Sequence, residues 1–171
     1  MKEESLSRAT KRVKAQRITT EGFHYYGQVI FPREDGKPYD HNDAQLLLQD
    51  GIPRFYIMHL ENRGLNFDRI TRHLKCTQCL GSLNGKEWFM GVAAPGNFLD
   101  PIAKPELDGI MVFQIPGDCF IKLNVGTWHA GPFFESEAVD FYNLELSDTN
   151  ITDHHTCDLV ETYGVEFEIL P

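Results

Sequence analysis

A chain of 171 residues is long enough to bury its own core as one domain, without disulfides or a structural metal. With 42% hydrophobic and 24% charged residues, and 12 Phe, 6 Tyr and 2 Trp to fill a core, it is not a disordered chain. No apolar run approaches the length that spans a bilayer, and the opening MKEESLSRATKRVKAQR is too polar for a signal peptide, so a cytoplasmic protein with no membrane partner is expected.

The formal charge of −9 is unevenly placed. Residues 1–17 hold six Lys or Arg against two Glu, which leaves +4 there and −13 on the remainder. An acidic body repels polyphosphate, so no nucleic-acid partner is expected. The division that follows is a basic arm over 1–17, solvated and partly helical, and a single domain over 18–171.

In chain order, AQRITTEGFHYYGQVIF predicts a short strand, a helical turn capped by Thr20 and stopped by Gly27, and a strand through Val29 and Phe31. PREDGKPYDHND is loop, and AQLLLQDG predicts one more helical turn. From there strands dominate: RFYIMHLE, LNFDRITRHL, TQCLGSL, WFMGVAAP, IMVFQI, CFIKLNV, AVDFYNLELS and GVEFEIL are β-branched and aromatic segments set apart by Gly, Pro, Asn and Asp. In VDFYNLELS the alternation puts Val139, Phe141 and Asn143 on one side and Asp140, Tyr142 and Leu144 on the other. VEFEIL alternates more cleanly, with Val165, Phe167 and Ile169 inward and Glu166 and Glu168 outward. Many short strands and hardly any helical pattern predict an antiparallel barrel or sandwich.

Two groups of residues invite a metal reading. His73, Cys76 and Cys79 form HxxCxxC, and DHHTC adds His154, His155 and Cys157. The second group is neither CxxC nor HxxxH, so reduced, buried thiols are the better expectation, and DHH reads as solvated loop.

The order and spacing of TRHLKCTQ, WFMGVAAPGN, MVFQIPGDCFIKLNVGTWHAGP and VDFYNLELSD, from about Ile18 to Cys157, resembles the ureidoglycolate lyase (ureidoglycolate hydrolase) family of the cupin superfamily. That resemblance implies an all-β fold, a cupin-like antiparallel β-barrel of jelly-roll type with a few short helices. It also implies a homodimer and a site at the barrel mouth, where His73, Gln78 and His129 would be the ligands of any divalent metal, such as Ni, Mn or Zn. The chain departs from the family pattern at Thr71, at Leu74 to Cys76, and at Asn124, Val125 and Ala130, which removes several polar groups of that site.

The activity implied is cleavage of ureidoglycolate, a small carboxylate, to glyoxylate and urea in purine and allantoin nitrogen catabolism. A base removes the hydroxyl proton while an acid protonates the leaving nitrogen. His129 is the candidate for that role and His73 its partner. Arg72, Gln78, Lys122, Asn124 and Trp128 are candidates for holding the substrate, Trp128 doubling as a packing anchor. Asp140 either orients His129 or faces outward, and Gly126 reads as a positive-φ turn before the strand. The missing polar groups leave a second expectation beside the first: a divergent cupin that acts on, or merely binds, another small hydroxy or keto acid.

Overall fold

Short runs of β-branched and aromatic residues, broken by turn residues at close intervals, leave the chain no room for long helices. The computed structural model describes residues 8–97 and 99–171, and it is mostly β. In chain order the strands are β1 (Ala9–Lys14), β2 (Gln16–Arg17), β3 (Gly27–Ile30), β4 (Pro53–Glu61), β5 (Asn66–Phe67), β6 (Arg69–Arg72), β7 (Gln78–Ser82), β8 (Gly85–Ala93), β9 (Met111–Gly117), β10 (Phe120–Leu123), β11 (Trp128–Phe133), β12 (Ala138–Leu146), β13 (His155–Asp158) and β14 (Val165–Leu170). The helices α1 (Thr20–Phe23), α2 (Thr149–Thr152) and α3 (Leu159–Tyr163) are single turns. Thr19 caps α1 by accepting a hydrogen bond from the Gly22 amide, one residue before the cap expected from sequence.

The strands form three sheets: five strands in the order β3-β10-β7-β12-β4, six in the order β13-β6-β11-β8-β9-β2, and three in the order β1-β14-β5. The six-stranded sheet is the middle layer, because its residues feed both cores. Trp88, Met90 and Val92 of β8 pack with Leu80, Ile121 and Phe141 of the five-stranded sheet. Their neighbours Phe89 and Ala93 pack with Phe167 and Ile169 on the opposite face. Each large side chain so buried contributes roughly 1.5–3 kcal/mol of transfer free energy. A strand covered on both faces cannot show a clean polar alternation, which is why WFMGVAAP reads as one apolar run.

Two expectations need correction. The basic arm is not a helical lead-in from Ala9 onward: β1 runs parallel to β14 from Ala9↔Val165 to Lys14↔Leu170, and β2 pairs with β9. Its charges explain why. Arg8 meets Glu166 and Arg12 meets Glu168, so the outward glutamates of VEFEIL find their partners on the basic strand. Residues 1–7 of the arm lie outside the described residues. The second correction concerns AQLLLQDG, which forms no helical turn; Leu47 is instead bonded to Thr77 through its amide and its carbonyl. The four cysteines are buried and unpaired by disulfides, and among the described residues no helix is long and apolar enough to cross a membrane.

Candidate functional site

His129 is the second residue of β11 and lies opposite Thr71 of β6. His73 stands two residues beyond Thr71, so pleating sends both imidazoles to one face of the middle sheet, as diagonal neighbours. Their ring centroids are 5.0 Å apart, and His154 approaches His73 at 5.7 Å. Opposite them stands the five-stranded sheet, where Gln78 opens β7 and Asn143 and Glu145 of β12 point the same way. Between the two lies a cavity of about 290 Å3 lined by these six side chains, with Tyr56, Arg63 and apolar residues completing the wall.

The segment holding His73 is clamped by one residue. The Asp153 carboxylate accepts the amides of Leu74 and Lys75 at 2.7 and 2.9 Å, and its carbonyl accepts from His73 Nδ1 at 2.5 Å. A carbonyl only accepts, so the proton of the neutral ring sits on Nδ1 and Nε2 keeps its lone pair. His129 Nδ1 makes the same kind of bond, longer at 3.3 Å, to the Thr127 carbonyl. Burial lowers the pKa of both rings. His129 is pushed down to about 3, chiefly by desolvation and further by the neighbouring His73 and His154. The site therefore presents two neutral imidazoles at physiological pH.

Gln78 supplies the most telling atom. Its amide nitrogen donates to Asn143 Oδ1 at 3.0 Å and to Glu145 Oε2 at 3.3 Å. Its oxygen is buried with no protein hydrogen-bond partner, so it is free to accept from a water, a ligand or an ion in the cavity. Glu145 is 1% exposed and receives only neutral donors, from Tyr56 and Asn150 at 3.3 Å each besides Gln78. No cation pairs with it among the described residues.

Among the described residues no three His, Cys, Asp or Glu side chains converge on one point as a metal cage. Two imidazole acceptors and the amide oxygen of Gln78 line the same cavity, a set that would hold a divalent cation loosely at most.

Of the residues expected to form one site, the structure brings together His73, Gln78 and His129. The other five lie elsewhere. Arg72 leaves β6 on the opposite face, where its guanidinium sits 4.8 Å over the Trp128 ring and donates to His155 Nδ1 and the Asp100 carbonyl at 2.9 and 2.7 Å. Trp128 is 1% exposed and belongs to the second core. Lys122 and Asn124 line a separate pocket on the outer face of the five-stranded sheet. Asp140 also faces outward, accepting from His59 Nδ1 at 2.6 Å, and has no part in orienting His129. Strand parity is the reason for the four that lie on strands, since one residue along a strand reverses the face; Asn124 lies just past the end of β10. Gly126 has the expected positive φ, 81°.

Glu145, Tyr56, Arg63 and Asp153 were not among the expected residues. Glu145 had a signal, since the side of VDFYNLELS that carries Val139, Phe141 and Asn143 continues to it. Asp153, expected in a solvated loop with His154 and His155, is instead 8% exposed, and His155 opens β13. No family model matches the chain, and no curated protein matches it.

Proposed function

We propose that the protein is an enzyme of the ureidoglycolate lyase type, cleaving a small 2-hydroxy acid whose carbon also bears a urea nitrogen. The single observation that carries this reading is the convergence of two neutral imidazoles and an unpartnered amide oxygen on a cavity sized for a small organic acid. In this reading the two larger sheets are a cupin-like jelly roll with the cavity between them, the protein works in the cytoplasm, and two copies form a homodimer.

The chemistry requires a base for the hydroxyl proton and an acid for the leaving nitrogen. His73 is the better base. Desolvation of His73 is opposed by the Asp153 carbonyl and by the Asp153 and Glu145 carboxylates, whereas His129 is held so low that it accepts a proton poorly and serves to orient. His73 Nε2 takes the hydroxyl proton, the carbonyl forms as the C–N bond breaks, and the same proton passes to the departing nitrogen, giving glyoxylate and urea. Arg63, exposed at the mouth and the only guanidinium lining the cavity, receives the substrate carboxylate. Glu145 and Asn143, buried at the far side, accept from the urea N–H groups.

A divalent ion such as Ni, Mn or Zn would be held by His73, Gln78 and His129; it would occupy the His73 Nε2 lone pair that otherwise acts as base, and would supply polarisation of the substrate's oxygens in its place. The test is direct: incubate the purified protein with ureidoglycolate, with and without added Ni²⁺ or Mn²⁺, and follow glyoxylate. Release that is lost in His73→Ala supports the proposal. No release under any condition removes it, and leaves the alternative of a cupin acting on another hydroxy or keto acid, or only binding one.

A further inference from the structure

The outer face of the five-stranded sheet holds a pocket of about 440 Å3 that shares no lining residue with the histidine cavity. Ile121 and Leu123 of β10 point into the core, so Lys122 between them leaves the strand on the other side. Residues 39–47 roof it and are fastened at both ends. Gln28, paired with Lys122 across the sheet, donates to the carbonyls of His41 and Asp43 at 3.2 and 3.1 Å and accepts from the Gln45 amide at 2.9 Å. At the other end the Leu47 amide donates to Thr77 Oγ1 at 3.0 Å.

Lys122 is 5% exposed, and its ammonium donates to a single neutral acceptor, Asn124 Oδ1, at 2.7 Å. Two of its three donors thus have no protein acceptor and face the pocket. Among the described residues no carboxylate pairs with it; the roof's own acids, Asp40 and Asp43, are taken by Arg33 at 2.9 and 3.3 Å. Its cross-strand neighbour Cys79 is a thiol that burial pushes up to about 12, so it stays neutral and supplies no counter-charge. Burial lowers the lysine's own pKa. A cation withdrawn from water without an anion is costly, and native proteins rarely leave one so. Around it Leu46 and Leu47 stand 43% and 49% exposed at the opening, with Val125 beside them.

We propose that this pocket is a second ligand site, which takes a small carboxylate with a short apolar body. The carboxylate lies on Lys122 Nζ, and the body lies against Leu46, Leu47 and Val125. The assignment is independent of what the histidine cavity does.

Calorimetric titration of the full chain with hexanoate tests it, with hexanol and inorganic phosphate as controls. Saturable binding of one hexanoate per chain is expected, with hexanol and phosphate each at least tenfold weaker. Lys122→Met, which removes a buried charge and keeps the volume, should fold as judged by circular dichroism and lose at least tenfold in affinity. Leu46→Asp, at an exposed position, should lose as much by repulsion without touching the core. Equal binding by Lys122→Met, equal binding of hexanol or phosphate, or no saturable hexanoate binding overturns the proposal. Loss of hexanoate binding in His129→Ala overturns it too, because the ligand then sits in the other cavity.

Discussion

Arg72 and His73 are adjacent in the chain yet serve opposite faces of the middle sheet: the guanidinium packs over Trp128 in one core, while the imidazole meets His129 at 5.0 Å across the other face. One residue of register separates a structural cation from the candidate chemistry.

Arg72 is fully buried, with Nη1 lacking any hydrogen-bond partner. Arg72→Ala removes two hydrogen bonds and the stacking on Trp128, and opens a void. A loss on the order of 3 kcal/mol is expected, read as a shift in urea midpoint. Arg72→Met refills the volume and discards the charge, so it should cost distinctly less. Equal costs would mean that the guanidinium's bonds outweigh its desolvation.

Stability should fall on acidification through the histidine pair. Both folded-state pKa values lie below the ordinary histidine value, so the unfolded chain binds protons that the folded one refuses. Their contribution is complete above about pH 6.5 and is lost as pH falls, continuing toward 3 for His129. Each such ring contributes a slope of up to about 1.4 kcal/mol per pH unit. Urea midpoints between pH 7 and pH 5 should therefore drop, and His129→Phe should flatten the slope; a slope unchanged in that variant would place the titration elsewhere.

In the proposed reaction Arg63, which lines the cavity, would meet the substrate only through the substrate's carboxylate. Arg63→Ala should raise KM for ureidoglycolate by roughly tenfold or more and leave kcat within a few-fold, the pattern of lost uniform binding. Steady-state kinetics with varied substrate decide this; a fall in kcat with KM unchanged would assign the residue to the chemical step instead.

Gln78→Glu converts the orphaned amide oxygen into a carboxylate beside two neutral imidazoles. Affinity for Mn²⁺ or Ni²⁺ should rise at least tenfold over the parent, as measured by calorimetry at fixed pH. Unchanged affinity would separate Gln78 from any metal. The nearby Glu145 makes the substitution costly to fold, by like-charge repulsion, unless the cation is present.

Gly27 lies where a Cβ would collide with the Lys122 carbonyl on the paired strand. Gly27→Ala should therefore spread β3 from β10 and destabilise by about 1–3 kcal/mol. Native-state hydrogen exchange in β3 and β10 would register the change, and ordinary protection there would exclude it.

The strands and the histidine pair were legible because apolar runs, turn residues and two imidazoles are local signals. The remainder depends on relations between distant segments. TKRVK carries too few apolar residues to announce a strand; its partner's glutamates, some 155 residues away, make it one. Lys122 and Asn124 stand near His129 in sequence, but the turn through Val125 and Gly126 conceals which face each takes. Glu145 was one step further along an alternation already visible. Asp153 gave no signal at all, since an acid beside two histidines in a loop looks solvated until the backbone amides of Leu74 and Lys75 are brought to it.

The parallel pairing of β1 with β14 has a consequence for biogenesis. β1 is made some 155 residues before its partner strand, so the third layer cannot close until every segment between the two has been translated. Until then the second core's Phe89, Trp128 and Phe133 lack their cover, and the nascent protein passes through a stage in which a sticky flank is exposed to chaperones.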